Sequence, residues 1–278
     1  MVSTGHDGAG ASVEAPVAET VDIDRDDRLR RIREVVTAQG SVRIQDLAEA
    51  YQVSAMTIRR DLDVLEERGW LRKVRGGAKA EASAILHGDV RKRMQTMSAA
   101  KQQVAEEAFS LVSAGDTVMF DESTSGFFLA QRLPALERLT VVTNFMPPLQ
   151  VLAGKPGIDL VGLGGPYVPD YDAFLGVGTA EAARNMSADL LFCSTSAVTR
   201  GGCYHRSQAT ILVKRAMMSA AERCILLLDH GKLGKRAPHL LAPLADFDLV
   251  IIDDGVDEAD LALLRDHGAN VIVAGASG

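Results

Sequence analysis

Apolar residues in the first part of the chain recur every three to four positions, which is the spacing of helices that bury one face. This pattern predicts helices over residues 28–38 and 46–51, and a third helix that begins after Ser54 and ends at Gly69. Serine is a good N-cap because its hydroxyl accepts a backbone N–H of the first turn, and glycine tolerates the left-handed backbone beyond a helix. The residues of the third helix that are expected to be buried are Ile58, Leu62 and Leu65.

The third helix directs polar residues away from this stripe, and a basic segment follows it. Residues 70–74 predict a strand that turns through a Gly-Gly pair, and residues 42–44 predict a short strand that pairs with it. Arginine near the start of such a helix can pair with guanine in the major groove, and a basic hairpin can lie along the phosphates. The residues predicted to contact DNA are Ser54, Met56, Thr57, Arg59, Arg60, Arg72, Lys73, Arg75, Gly76 and Gly77. The alternative is an ordinary helical hairpin with a solvated basic face.

The segment VSAMTIRRDLDVLEERGWLRKVRGGA, residues 53–78, resembles the winged helix-turn-helix signature of the DeoR family of bacterial transcriptional repressors. The resemblance continues to about residue 255. It implies that the remainder of the chain is a sensor domain for a phosphorylated sugar or a related metabolite. The matching residues in the signature are Val53, Ser54, Thr57 to Leu62, Leu65, Gly69, Leu71, Arg72, Gly76, Gly77 and Ala78.

From Ser98 onward, short apolar strands alternate with helices. Runs such as ILLL at 225–228 and LVII at 249–252 are apolar throughout, which is typical of a parallel sheet covered on both faces. The predicted fold class is therefore α/β, with an N-terminal winged helix-turn-helix followed by a Rossmann-like parallel-sheet domain. The family resemblance implies that this second domain is similar in fold to ribose-5-phosphate isomerases.

Ligands of such sheets bind beyond the carboxyl ends of the strands. Small, hydroxyl, amide and lysine side chains follow four of the predicted strands, and this combination suits a polyol phosphate. The residues predicted to bind the effector are Asp121, Glu122, Ser123, Thr124, Ser125, Thr143, Asn144, Gly164, Gly165, Lys214, Asp229 and Lys232. Two simpler interpretations stay open, namely helix capping by Ser123 or Ser125 and a tight turn at the glycine pair.

The resemblance to DeoR sensor domains covers the same positions. Their typical elements are an Asp-x-Gly-Thr-Thr-like loop, a Thr-Asn pair, a Gly-Gly turn, a helical lysine and an Asp-x-x-Lys near a late strand. This chain departs from the pattern in having Ser123 in place of glycine, with acidic Glu122 before it. The segment from Ser194 to Ala197 also lacks the acid that the related isomerases place there, which argues against an enzyme.

Charge and composition divide the chain in the same way. Its formal net charge is −7, yet residues 28–79 carry twelve basic and seven acidic side chains, as a DNA-binding segment should. The predicted organisation is a disordered acidic tail over 1–24, a winged helix-turn-helix over 25–79, a linker over 80–97 and an effector-sensing α/β domain over 98–278. The length of 278 residues fits two domains.

Several classes of protein and site are disfavoured by the sequence. It has no apolar run of membrane-helix length and no signal peptide, and three unclustered cysteines fit a reducing cytoplasm. We therefore expect a cytoplasmic protein without membrane association. A zinc site built from Cys203 and His205 with Cys193 or Cys224 matches no common ligand spacing, so no metal or cofactor is expected. His230 is interpreted as a hydrogen-bonding residue rather than a proton shuttle.

These patterns together predict a transcriptional repressor of a sugar or sugar-alcohol operon, relieved by a phosphorylated sugar. Its expected partners are double-stranded operator DNA, the phosphorylated effector and copies of itself in a homodimer or homotetramer. It is not expected to be an enzyme. Two alternatives stay open: an isomerase-like enzyme fused to a DNA-binding module, and an activator of the same fold.

Overall fold

The computed structural model describes residues 24–67, 71–80 and 90–275. Residues 1–23 of the expected acidic tail, the helix end expected at Gly69, Trp70 and linker residues 81–89 lie outside these ranges. The chain separates into two compact units, with the division between Ala84 and Ile85. Within the described ranges, no helix is long and apolar enough to cross a lipid bilayer.

In the part of the N-terminal unit that the structure describes, there are three helices and three strands. In chain order they are α1 (Arg25–Gln39), β1 (Ser41–Arg43), α2 (Ile44–Ala50), α3 (Ala55–Glu67), β2 (Leu71–Val74) and β3 (Gly77–Ala80). The strands form one antiparallel sheet in the order β1-β3-β2. All three helices and the sheet contribute buried apolar side chains to one core, which includes Leu29, Ile32, Val36, Leu47, Ile58, Leu62, Leu65 and Leu71. The predicted winged helix-turn-helix is confirmed.

Local differences from the prediction have identifiable causes. Helix α1 begins three residues earlier than expected, where Asp26 and Asp27 supply the acidic first turn that helix N-termini favour. It ends at Gly40, whose φ of 73° is left-handed and whose N–H bonds to the Val36 carbonyl. Ile44, predicted to lie in the strand, instead begins α2.

The two glycines of the wing have different roles. Gly76 occupies the turn with a φ of 80°, as the pattern predicts. Gly77 does not belong to the turn, because it already lies in β3 opposite Arg43 of β1. A Cβ atom at Gly77 would lie 2.0 Å from the Val42 carbonyl oxygen. Glycine is thus required at this position by the close approach of two strands.

The C-terminal unit is a parallel sheet with helices on both faces. Its strands in chain order are β4 (Thr117–Phe120), β5 (Leu139–Thr143), β6 (Ile158–Gly162), β7 (Tyr167–Val168), β8 (Ala173–Phe174), β9 (Ala188–Cys193), β10 (Ala197–Thr199), β11 (Gly202–His205), β12 (Ala221–Leu228), β13 (His239–Pro243), β14 (Leu249–Asp253) and β15 (Val271–Ala274). The main sheet consists of parallel strands in the order β15-β14-β12-β9-β4-β5-β6. The helices are α4 (Val90–Gln95), α5 (Ser98–Phe109), α6 (Thr124–Ala130), α7 (Met146–Leu152), α8 (Val177–Arg184), α9 (Gln208–Ala220) and α10 (Glu258–Asp266).

The sheet separates two apolar cores. One core includes Val104 of α5 and Leu129 of α6, and the other includes Ala180 of α8 and Val213 of α9. Every residue of β14 is buried, because both of its faces are covered. The predicted α/β class with a Rossmann-like parallel sheet is confirmed.

Five short strands were not predicted. Residues 194–207 contain β10 (Ala197–Thr199) and β11 (Gly202–His205), which form an antiparallel sheet with β13 (His239–Pro243). A hairpin of β7 (Tyr167–Val168) and β8 (Ala173–Phe174) was also missed. Strands of two or three residues carry too little periodicity to be recognised from sequence, and β11 and β13 lack a continuous apolar run of the kind found in β12 and β14.

Candidate nucleic-acid interface and anion pocket

The start of α3 is capped as the sequence predicts. The Ser54 Oγ accepts a hydrogen bond from the Thr57 backbone N–H at 3.0 Å and lies 2.9 Å from the Thr57 hydroxyl. Ile58 and Leu62 are fully buried beneath the helix. This burial and the cap determine which face of α3 is exposed.

The exposed face of α3 carries the side chains expected to read DNA. Arg59 and Arg60 are exposed, and Met56 is 53% exposed although it is apolar. Within the described residues, neither arginine has a carboxylate at ion-pair distance. Two free guanidinium groups and one accessible thioether are therefore available to a ligand.

A buried ion pair holds α3 against α1. The Asp61 carboxylate, 1% exposed, accepts a hydrogen bond from Arg28 Nε at 2.7 Å and lies 3.6 Å from Arg25 Nε. Because a buried carboxylate without a partner is costly, this pair restricts the position of α3 on the rest of the unit.

The wing is joined to α3 through Lys73. Its ammonium group bonds to Asp63 and lies 3.9 Å from Glu66, and its backbone N–H donates to Glu66 at 2.7 Å. Lys73 was predicted to contact a DNA phosphate, but its ammonium group already pairs with carboxylates of its own unit. Arg72, Arg75 and Gly76 are exposed on the wing, whereas Gly77 is buried.

In the C-terminal unit, side chains from several strand ends and from α4, α5 and α9 line one pocket. Of the predicted effector residues, it includes Glu122, Ser123, Thr124, Lys214, Asp229 and Lys232. The other residues of its lining, which the sequence interpretation missed, are Arg93, Thr96, Lys101, Ser194, Thr195, Ser196, His205 and Lys235. Five cationic side chains and two carboxylates give this lining an excess of positive charge, which favours an anionic ligand.

Asp121 lies beneath the pocket rather than in its wall. Its carboxylate is fully buried and accepts backbone N–H groups from Ser123 at 2.9 Å and Ser194 at 2.7 Å. It also accepts a hydrogen bond from Lys214 Nζ. Asp121 therefore joins β4, β9 and α9 and has little remaining capacity for a ligand.

Lys214 is the shared counterion of two carboxylates. It is 1% exposed, pairs with Asp121, and lies 3.1 Å from Glu122 Oε1. Burial alone would lower the pKa of Lys214, but the two carboxylates outweigh it and raise that pKa. Burial raises the pKa of Glu122 despite the opposing charge of Lys214.

A second group of charges surrounds Asp229 at the end of β12. Lys232 Nζ lies 3.3 Å from Asp229 and donates to the Ser194 hydroxyl at 2.6 Å. Lys101 is 4% exposed and donates to the carbonyls of Arg93 and Thr96. Burial and the nearby charge of Lys232 lower the pKa of Lys101 to about 7. Burial would raise the pKa of Asp229, but Lys232 and Lys101 outweigh it and lower that pKa.

The other predicted effector residues have internal partners or lie outside the pocket lining. Thr143 accepts the Phe145 backbone N–H at 3.1 Å, and the Asn144 amide donates to the Phe174 carbonyl at 2.8 Å. A Cβ on Gly165 would lie 2.2 Å from Thr179 Oγ1, and the same hydroxyl donates to the Gly164 carbonyl. The glycine pair thus lies in a bend of the chain that packs closely against α8. Ser125 is buried in α6.

The simpler interpretation of the first loop is also observed, because the Ser123 hydroxyl accepts the Gly126 N–H and caps α6. The three cysteines are buried and free. Burial raises the pKa of Cys203 to about 12 and that of Cys224 to about 11, which makes both thiols unreactive. In the described part of the chain, no group of three His, Cys, Asp or Glu side chains could hold a metal ion.

His230 is held by hydrogen bonds. Its Nδ1 lies 2.5 Å from Asp253 Oδ2, and its backbone N–H donates to the same carboxylate at 2.7 Å. These contacts anchor the turn that presents Asp229 and Lys232 to the pocket.

Replacing Lys214 with methionine should destabilise the C-terminal unit, because two buried carboxylates would lose their shared counterion. We expect a loss of about 3–5 kcal/mol in its free energy of unfolding. Urea denaturation followed by circular dichroism measures this loss. Lys155→Met, at an exposed position, is the matched control. Equal stability of the two variants would show that the carboxylates do not depend on Lys214.

Comparison with known proteins covers both units. Residues 96–254 match the family described as the DeoR C terminal sensor domain, and residues 28–84 match the DeoR-like helix-turn-helix domain. A solved structure of ribose 5-phosphate isomerase A from Methanocaldococcus jannaschii shares 15% identity, with a TM-score of 0.37, over 51% of this chain and 56% of the isomerase.

Curated relatives align over most of their lengths. The uncharacterized HTH-type transcriptional regulator YgbI of Escherichia coli (strain K12) is 31% identical over 248 residues, covering 89% of this chain and 97% of YgbI. The lactose phosphotransferase system repressor of Staphylococcus aureus (strain N315) is 28% identical, covering 83% and 93%. The L-fucose operon activator of Haemophilus influenzae (strain ATCC 51907 / DSM 11121 / KW20 / Rd) is 29% identical, covering 78% and 88%. This chain belongs to the DeoR family of transcriptional regulators.

Proposed function

We propose that this regulator represses a sugar or sugar-alcohol operon and that a phosphorylated sugar relieves the repression. The proposal of a phosphorylated effector rests on one observation: lysine side chains outnumber carboxylates in a pocket that also contains serine and threonine hydroxyls. Ammonium groups bind phosphate, and hydroxyls suit a polyol. Relatives named as a lactose phosphotransferase repressor and an L-fucose operon activator support a sugar-related role. Repression is preferred over activation because the family resemblance favours it.

For the DNA-binding half, we propose that α3 enters the major groove and that the wing follows the phosphates. Arg60 and Met56 are exposed on the helix, where arginine suits guanine and a thioether suits the thymine methyl group. Arg72 and Arg75 are the exposed cations of the wing. The other residues proposed to contact DNA are Ser54, Thr57, Arg59 and Gly76. Lys73 and Gly77 contribute indirectly, because they hold the wing in place.

The effector can change operator affinity only if it binds one arrangement of the protein more tightly than another. We propose a homodimer or homotetramer whose paired DNA-binding units match half-sites about 34 Å apart. Effector binding would favour an arrangement that does not match this spacing. The proposed effector contacts are Glu122, Ser123, Thr124, Asp229 and Lys232, with Lys101 and Ser194 added from the pocket lining.

Arg60→Ala should weaken binding to an operator selected by the full chain from random DNA. If Arg60 bonds a base edge, the loss should be about 1–3 kcal/mol and should relax sequence preference at one position. Titration of wild-type and variant protein with the selected operator and its point variants measures both effects. Arg30→Ala, exposed on α1, is the control and should bind as the wild type does. An unchanged base preference in the Arg60 variant would remove this residue from the proposed readout.

A phosphorylated sugar should stabilise the full chain and release the selected operator. At about 100 times its dissociation constant, an effector adds about 2.7 kcal/mol of stability, whereas the unphosphorylated sugar should add little. Lys232→Ala should retain operator affinity without ligand and lose most of the response, and Lys155→Ala should behave as the wild type. Thermal shifts and operator titrations across a panel of sugars test this. If no phosphorylated sugar gives a shift or releases DNA, the proposed effector class is wrong.

Effector binding should weaken as the pH rises above neutrality. The pKa of Lys101 is lowered to about 7, so its positive charge is present below that pH and is lost above it in the free protein. A phosphate dianion favours the charged form, so binding above pH 7 should take up a proton. Calorimetric dissociation constants between pH 6.5 and 9 should rise in the wild type and change less in Lys101→Met. Parallel pH profiles would exclude Lys101 as the titrating group.

A further inference from the structure

Glu122 is a buried carboxylate with one oxygen unused. It is 1% exposed and lines the pocket at the end of β4. Its Oε1 lies 3.1 Å from Lys214 Nζ and 3.9 Å from His205 Nε2. Its Oε2 is buried and has no hydrogen-bond partner among the described residues. Such a group is costly unless a ligand or solvent satisfies it.

The charges beneath this wall of the pocket do not balance by themselves. Asp121 and Glu122 share Lys214, and Asp121 already accepts hydrogen bonds with both of its oxygens. The Nδ1 of His205 accepts the Ser207 backbone N–H, so the ring faces Glu122 Oε1 with its Nε2, at 3.9 Å. Of the two carboxylates that share Lys214, only Glu122 has an oxygen without a hydrogen-bond partner among the described residues, namely Oε2.

The other carboxylate of the pocket lining, that of Asp229, lies 3.3 Å from the Lys232 ammonium group and is already paired with it. Arg93 lies over the ring of Tyr171, and the lysines near Asp229 form a separate basic wall. A ligand whose phosphate is held by Lys101 and Lys232 would still present its hydroxyl or amino groups to the opposite wall. Burial raises the pKa of Glu122, so a hydrogen-bond donor supplied by a ligand would stabilise its charged form.

We propose that Glu122 Oε2 accepts a hydrogen bond from a hydroxyl or ammonium group of the effector, and thereby determines which phosphorylated sugars bind. This inference rests on the proposed function, because it assumes that the pocket holds a phosphorylated sugar. It goes further by assigning the recognition of the non-phosphate end to Glu122.

The test combines variants of Glu122 with changes to the ligand. The probes are the phosphosugar that stabilises the wild type most, its monodeoxy analogues and its amino-sugar analogue. Binding is measured by calorimetry on the full chain. In the wild type, one deoxy analogue should bind about tenfold or more weakly, because a hydrogen bond to a charged group is lost. In Glu122→Ala the same deoxy analogue and the parent should bind equally.

Glu122→Gln separates the two possible donors. Lys214 keeps the amide oxygen on its side, so the amide N–H₂ occupies the position of Oε2 and offers a donor in place of an acceptor. A hydroxyl can reverse its role and bind with little change, whereas an ammonium ligand should lose about tenfold or more. Glu181→Gln, exposed on α8, is the matched control. Urea denaturation establishes that each variant is folded.

The outcomes are distinguishable. Suppose that the wild type binds a phosphosugar, and that each deoxy analogue is weakened relative to the parent sugar by the same factor in Glu122→Ala as in the wild type. The proposed role of Glu122 is then overturned, whereas the proposed function stands. If no phosphosugar binds the wild type, both are overturned. If the affinity difference between one deoxy analogue and the parent disappears in Glu122→Ala, the inference is supported. The Glu122→Gln result then identifies the donor as a hydroxyl or an ammonium group.

Discussion

The contact between Asp121 and Lys214 is the interaction on which the pocket depends. One fully buried carboxylate receives the backbone N–H groups of Ser123 and Ser194 and the ammonium group of a helix. It thereby joins the ends of β4 and β9 to α9, and these three elements supply much of the pocket wall. Charges in such a site are retained because removing either partner leaves the other buried and unpaired. The pocket is therefore built around an internal ion pair. A ligand can bind only to the polar groups that have no partner within the protein.

The N-terminal unit uses charge in a similar way. Asp61 holds α3 through Arg28, and Lys73 joins the wing to α3 through Asp63. Both pairs orient elements whose remaining arginines are exposed. In both units, some charged residues that would be expected to contact a ligand instead hold helices or strands in place. The exposed charged residues beside them are available for binding. Types of residue alone do not distinguish these two groups.

Much of the fold could be predicted because its signals are local. Helical spacing in α3, its serine cap and the apolar runs of β12 and β14 identified both units and the parallel sheet. The strand-end rule also led to Glu122, Asp229 and Lys232, which line the pocket. Thr143 and Asn144, which the same rule predicted, hydrogen-bond within the protein and are not among the residues that line this pocket. The rule also missed pocket residues that do not follow a parallel strand, among them Arg93, Thr96, Lys101 and His205.

The sequence by itself determined the family, the two kinds of unit, and the buried faces of the principal helices and strands. Periodicity, caps and apolar runs are properties of neighbouring residues, so they need no knowledge of distant contacts. Only the tertiary structure decided that Lys214 serves Asp121 and Glu122, that Gly77 admits β1, and that Lys101 is buried beside Lys232. Those facts depend on which distant segments meet, and the energy of a charge depends on its burial and its partners.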